Sequence, residues 1–156
     1  MGIAPGHVQV RQLIGSELDR IEANEPPGQG FVRAMWKQQC SGNSILLVAW
    51  VGDRHAGSGQ LVWTSPPELK NLNVIPPLRG WGVGSAIIAA AEAHIPLGGR
   101  LAVGVGLGNP RARALYERLG YVGAGHITTT TYEYVDADGT RRTATETDEE
   151  LIKHIH

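Results

Sequence analysis

Residues 79–84 read Arg-Gly-Trp-Gly-Val-Gly and stand between an alternating apolar run, "LNVIPPL", and the Ala/Ile-rich stretch "SAIIAAAEA". Glycine at three of these six positions leaves backbone N–H groups bare where a helix is about to begin. Those first N–H groups have no carbonyl partner within the helix, and the helix dipole adds partial positive charge at the same point. The arrangement is a cradle for an anion, best suited to phosphate, and Arg79 adds a fixed positive charge that can close on it. A tight strand-to-helix turn without a ligand would use glycine as well. Two nucleotide-binding patterns are excluded. No Gly-Lys-Ser/Thr follows, as a P-loop requires, and the spacing from Gly80 puts Ser85 where the last glycine of a dinucleotide fingerprint belongs.

Little else in the chain points to metal or covalent chemistry. The six histidines lack metal-ligand spacing: His154 and His156 end the chain, and His7, His55 and His94 fall near turns or helix ends. His126 lies in a strand-like run, where it either lines a pocket or is an ordinary strand residue. Cys40 is the only cysteine, so it forms no internal disulfide and no thiolate cluster. No histidine stands in recognisable register with it, so no acyl-cysteine intermediate is expected.

The elements that must position the glycine loop are those of one α/β domain spanning residues 1–156. A formal net charge of -1 offers no basic field, so neither nucleic acid nor an anionic membrane is an expected partner. No apolar run approaches the ~18 residues of a membrane span, the N-terminus lacks a leader pattern, and cytoplasmic residence is expected. Arginine outnumbers lysine, which suggests a GC-rich bacterial genome. "HVQVRQLI" reads as a strand and "SELDRIEA" as a helix capped by Ser16. "FVRAMWKQQC" has Phe31, Ala34, Met35 and Gln38 at helical spacing. "SILLVAWV" and "SGQLVWTS" form a hairpin across "GDRHAG", and "ELKNLNVI" continues the meander. A helix is predicted from about Gly82 to Ile95, followed by the strand "RLAVGVGL". A second well-signed helix, "NPRARALYERLG", has Asn109 as N-cap, Pro110 first and Gly120 as its stop. "HITTTTYEYV" and "RRTATETDEELIKHI" flank the turn "DADGT".

Two segments carry a resemblance. "LNVIPPLRGWGVG" is similar to the signature of the GNAT superfamily of acyl-CoA N-acyltransferases, with Arg79, Gly82 and Gly84 at the specified loop positions and Leu72, Val74 and Pro76 before them. "GNPRARALYERLGYV" resembles that superfamily's later segment, with Asn109, Ala112, Leu115, Tyr116, Gly120 and Tyr121 in register. The closest matches cover Glu68 to Tyr121. The resemblance implies a GNAT-like mixed central sheet: an antiparallel meander followed by β-α-β units, splayed between the fourth and fifth strands and flanked by about four helices. It also implies acetyl-CoA as acyl donor, with no metal. The diphosphate would rest on Arg79, Gly80, Trp81, Gly82, Val83, Gly84 and Ser85. The pantetheine would pair with the backbone of Leu72 and Val74, with Asn109 contacting it, and the Val74 amide would lie near the thioester carbonyl. Trp81 departs from the basic or polar residue usual there; it either covers the nucleotide end or lies on the surface.

The chemistry implied is amide formation. A free alkyl ammonium has a pKa of about 10, so something must take its proton. Glu68 stands at the family's frequent general-base position and could act through water, while an exposed strand-edge glutamate is the plain alternative. Tyr116 holds the family's usual general-acid position, where it would protonate the departing thiolate; a satisfied core tyrosine is the alternative. Asn109 can serve as helix cap and pantetheine contact together. The acidic run Asp148–Glu150 reads as a solvated face. The acceptor side is expected from "EPPGQGFVRAMWKQQCSG" and the C-terminal hairpin, and the expected acceptor is a primary amine of a small molecule. A longer acyl donor, an O-acceptor, or a CoA-binding module without turnover are the competing readings. A homodimer is compatible with all of them.

Overall fold

The computed structural model describes residues 7–156. They form two compact units, residues 7–101 with 154–156, and residues 102–153.

The first unit is an antiparallel meander. β1 (Val8–Gln12), β2 (Ser44–Val51), β3 (Arg54–Val62) and β4 (Glu68–Val74) lie side by side in chain order. β2 is "SILLVAWV", an unbroken apolar run rather than an alternating one, and it is buried along nearly its whole length. Both of its faces are covered, which removes any need for polar alternation. Leu46, Val48 and Trp50 pack with Leu13, Leu18, Ile21 and Val32 beneath α1 (Leu18–Glu22) and α2 (Phe31–Cys40). α3 (Val83–Glu92) packs on the strands through Val83, Ile87, Ile88 and Ala91, an i, i+4, i+5, i+8 stripe.

Three local expectations shift. Ser16 does not cap the first helix: residues Gly15–Glu17 form a 3-10 turn, and buried Glu17 accepts from the Ile14 N–H and pairs with Arg11 at 2.8 Å. The buried face of α2 is that of Val32, with Met35 and Trp36 partly covered, while Phe31 is 51% exposed. Gln39 fixes this rotation by donating to the Leu13 carbonyl and accepting from the Leu46 N–H, both at 2.9 Å. α3 ends at Glu92 rather than near Ile95. The segment after it is held by the C-terminal residues, with Gly98 N–H to the Ile155 carbonyl at 2.8 Å and Ile155 N–H to the Gly99 carbonyl at 2.9 Å.

The second unit contains β5 (Arg100–Gly106) from Ala102 onward, α4 (Pro110–Arg118), β6 (Val122–Val135) and β7 (Arg141–His154) as far as Lys153, with the strands in the order β5-β7-β6. α4 begins as its sequence predicts. The Asn109 side chain accepts from the Ala112 N–H at 3.1 Å, Pro110 occupies the first position, and Gly120 leaves the helix at φ +99°. Arg113 binds Glu149 of β7 through two contacts, 2.7 and 3.3 Å. The β6–β7 turn is closed by Asp136, whose carboxylate accepts from the N–H groups of Asp138 and Thr140, with Gly139 at φ +79°.

Candidate active site

The loop between β4 and α3 is built by backbone conformation. After β4, the Ile75 N–H donates to the Ala56 carbonyl at 2.9 Å and Pro76–Leu78 makes a 3-10 turn. Arg79 is extended, Gly80 has φ +84°, and Gly82, the N-cap of α3, has φ +82°. Two left-handed positions this close together require glycine, because a Cβ would strain each of them. Apart from its neighbours in the chain, no heavy atom of the described residues lies within 4 Å of where a Cβ would sit on either residue, so the space above the helix mouth is open. No side chain caps α3. The N–H groups of Val83, Gly84 and Ser85 thus open the helix with no carbonyl a turn before them, which is what an anion cradle needs. Gly84 lies inside the helix, so backbone conformation does not require glycine there. The Arg79 Nε donates to the Val74 carbonyl at 3.2 Å, tying the loop to the last residue of β4. Trp81 is 38% exposed beside it.

β4 is not a regular strand. Its register against β3 slips between Ser58 and Gln60, so that Asn71 and Leu72 together face Gly59. Asn71 takes the left-handed conformation, φ +55°, a role for which asparagine is among the better residues after glycine. A polar chain pins the bulge: Asn71 Nδ2 donates to Gln60 Oε1 at 3.3 Å, and buried Gln60 donates to Ser44 Oγ at 3.1 Å and to Gln38 Oε1. Close approach of the two strands is permitted by Gly57, where a Cβ would stand 2.5 Å from the Asn73 carbonyl oxygen.

The bulge changes which residues share a face. Simple alternation would group Glu68 with Leu72 and Val74. Instead, Leu69 and Leu72 both lie against the Cβ position of Gly59, together with Ile87 of α3. Glu68 and Lys70 pair with Val62 and Gln60, and Asn73 pairs with Ser58, so Glu68, Lys70 and Asn73 occupy the opposite face. Glu68 is half-buried at the first residue of the strand.

On that opposite face, a cavity of about 380 Å³ lies between the α1–α2 segment and β2–β4. Ile21, Phe31, Val32, Met35 and Leu46 form an apolar wall, while Asn24, His55, Ser58, Asn71 and Asn73 supply polar groups. Leu72 and Ile75 reach it from β4 and just beyond. Glu25 lines it as well, and its Oε1 accepts the Val32 N–H in the first turn of α2. His55 Nδ1 lies 2.9 Å from Asn24 Nδ2, and burial lowers the imidazole pKa, with a smaller opposing contribution from the Gly57 backbone. Glu68 is not among the lining residues. Of the acceptor walls expected, "EPPGQGFVRAMWKQQCSG" supplies Glu25, Pro26, Phe31, Val32 and Met35 to this cavity and the C-terminal hairpin supplies none of its lining, while no acceptor-side expectation attaches to Asn24, His55, Ser58, Asn71 or Asn73. Their separation along the chain carries no motif.

In the second unit, Tyr116 of α4 is only 6% exposed and its ring meets that of Tyr121 edge to face, with centroids 6.0 Å apart. Burial raises its phenol pKa, so the hydroxyl is protonated at neutral pH and able to donate. The Asn109 side-chain oxygen is engaged by the helix it caps. Among the described residues no group of three His, Cys, Asp or Glu side chains is placed to hold a metal, and no helix is long and apolar enough to cross a membrane.

Among the described residues, the seven strands and four α-helices, with a glycine-opened helix after a bulged fourth strand, follow the order expected of a GNAT-like sheet. Comparison with known proteins agrees. The profile of the Acetyltransferase (GNAT) family matches residues 15–121, more than half of the chain, and the chain belongs to that family. A GNAT-family acetyltransferase from Bacillus cereus superposes with a TM-score of 0.69 at 13% identity, over 96% of this chain and 98% of that one. A GNAT acetyltransferase from Elizabethkingia anophelis, solved with acetyl-CoA bound, gives 0.63 at 15% identity over 96% and 99%. Mutant forms of the spermidine/spermine N-acetyltransferase from Vibrio cholerae give 0.65 at 18% identity over 94% and 93%. No curated protein matches the chain significantly in sequence. The protein is a GNAT acetyltransferase, and acetyl-CoA is the donor typical of its family.

Proposed function

We propose that the protein transfers the acetyl group of acetyl-CoA to the primary amine of a small molecule, by direct attack in a ternary complex. The observation that carries this is the open helix mouth at residues 80–85, where two left-handed glycines leave backbone N–H groups uncovered at the end of a bulged strand. The diphosphate rests on Gly80, Trp81, Gly82, Val83, Gly84 and Ser85 beside Arg79. The pantetheine follows the backbone of Leu72 to Val74, with Asn109 as a further contact, and the Val74 amide steadies the developing oxyanion. The amine nitrogen attacks the thioester carbonyl carbon, the C–S bond breaks, and the ammonium proton passes through water to Glu68. Tyr116 gives its proton to the departing thiolate.

Incubation with acetyl-CoA and a panel of amines, following release of free thiol, tests transfer. A protein that binds acetyl-CoA yet releases no thiol beyond slow hydrolysis would instead be a binding module. For Glu68, the proposal predicts a pH signature. Glu68→Gln keeps shape and removes basicity, so kcat/KM is expected to fall by 10²-fold or so at low pH, where few amines are neutral, and the deficit to narrow toward the amine pKa of about 10. A pH–rate profile parallel to wild type would make Glu68 a structural residue. Glu68 shares its face of β4 with Asn73, which lines the cavity, but lies outside the lining itself, so the proton would have to travel through water.

A further inference from the structure

Within the acetyl-transfer reading, on which this inference rests, the cavity beside β4 is the acceptor site, and its wall chemistry discriminates among amines. One wall is apolar: Ile21, Phe31, Val32, Met35 and Leu46. The facing polar groups from Asn24, Ser58, Asn71 and Asn73 are neutral. His55 is held by Asn24 at Nδ1, and its burial favours the uncharged imidazole. Among the described residues Glu25 is then the only acidic side chain lining the cavity, and its position is set by the N–H of Val32 at the start of α2. One carboxylate can compensate one ammonium. Each additional ammonium would lose hydration against neutral or apolar walls with no counter-charge. A flat apolar group, in contrast, gains by covering Phe31 and Met35.

We infer that the acceptor is a monocationic amine with an apolar body, of the arylalkylamine or alkylamine class, its ammonium directed by Glu25 and its body laid against Phe31 and Met35. Polyamines, the substrates in the name of one structural neighbour, fit this cavity poorly.

The test compares 2-phenylethylamine, spermidine and an alanine-initiated peptide, reading both kcat/KM with acetyl-CoA and direct binding of each amine to the CoA-loaded protein by NMR. A preference for 2-phenylethylamine of tenfold or more in binding and turnover is expected. Phe31→Ala, at an exposed position where folding is not at risk, should raise KM for that amine several-fold with kcat nearly unchanged. Equal or better use of spermidine or the peptide would overturn the substrate class while leaving acetyl transfer intact. If no amine is acetylated, the transfer reading fails, and the binding experiment still decides the cavity: tighter binding of spermidine than of 2-phenylethylamine would overturn the inference.

Discussion

Gly82→Val is expected to reduce acetyl-CoA affinity by about a hundredfold, roughly 3 kcal/mol. Gly82 holds φ +82° as the N-cap of α3, and a β-branched residue there pays of order 1–2 kcal/mol for the left-handed conformation. The loop is exposed, so the variant is expected to relieve this strain by rotating to negative φ rather than by unfolding. That rotation re-aims the N–H groups that open the helix, and the added methyls fill the space where no atom now lies within 4 Å. Gly84→Ala separates the two effects, because Gly84 is helical and the change adds bulk without backbone strain. Calorimetric titration with acetyl-CoA decides. An unchanged Kd in a folded Gly82→Val protein would remove the loop from the binding site.

Tyr116→Phe is expected to leave acetyl-CoA affinity within about twofold and to lower kcat by 10²- to 10⁴-fold, the usual range for loss of a general acid. Burial raises the phenol pKa, so in the wild type the hydroxyl carries its proton across the neutral range and no loss of the acid is expected below about pH 10, the ordinary phenol value. The ring remains, edge to face with Tyr121, so packing changes little. Because the hydroxyl acts on charge that develops only as the C–S bond breaks, its removal should appear in kcat rather than in binding. Pre-steady-state measurement of the chemical step, with equal rates in the two proteins, would exclude Tyr116 from proton transfer.

The proposed functional residues differ in how far they could be read before folding. The glycine loop was legible because its requirement is local: positive φ at Gly80 and Gly82 and a bare helix start depend on a few consecutive residues. The same holds for α4, where Asn109, Pro110 and Gly120 mark both ends through contacts no longer than a turn. The apolar run of β2 marked a strand, while its cover on both faces emerged only with the packing of α1–α2 and α3. At α1 the preference of serine for the N-cap is outweighed by Glu17, whose carboxylate has a partner in Arg11 of β1.

Other features are decided by residues far apart in sequence. Nothing in "ELKNLNV" alone says that Asn71 bulges. The extra residue is accommodated because Gly59 faces it across the ladder and because Gln60 ties Asn71 to Ser44 and Gln38. That one residue reverses the face on which Glu68 stands relative to Leu72 and Val74, since side chains along a strand have a period of two. The cavity is likewise assembled from the α1–α2 segment, β2, β3 and β4, and its apolar wall depends on the rotation of α2 that Gln39 fixes against Leu13 and Leu46. The chain's sequence by itself determined where a glycine-opened helix begins and where the helices start and stop, because φ preferences and caps act over a few residues. Which side chains line the cavity was decided only by the tertiary structure, because strand register and helix rotation follow from partners supplied by distant parts of the chain.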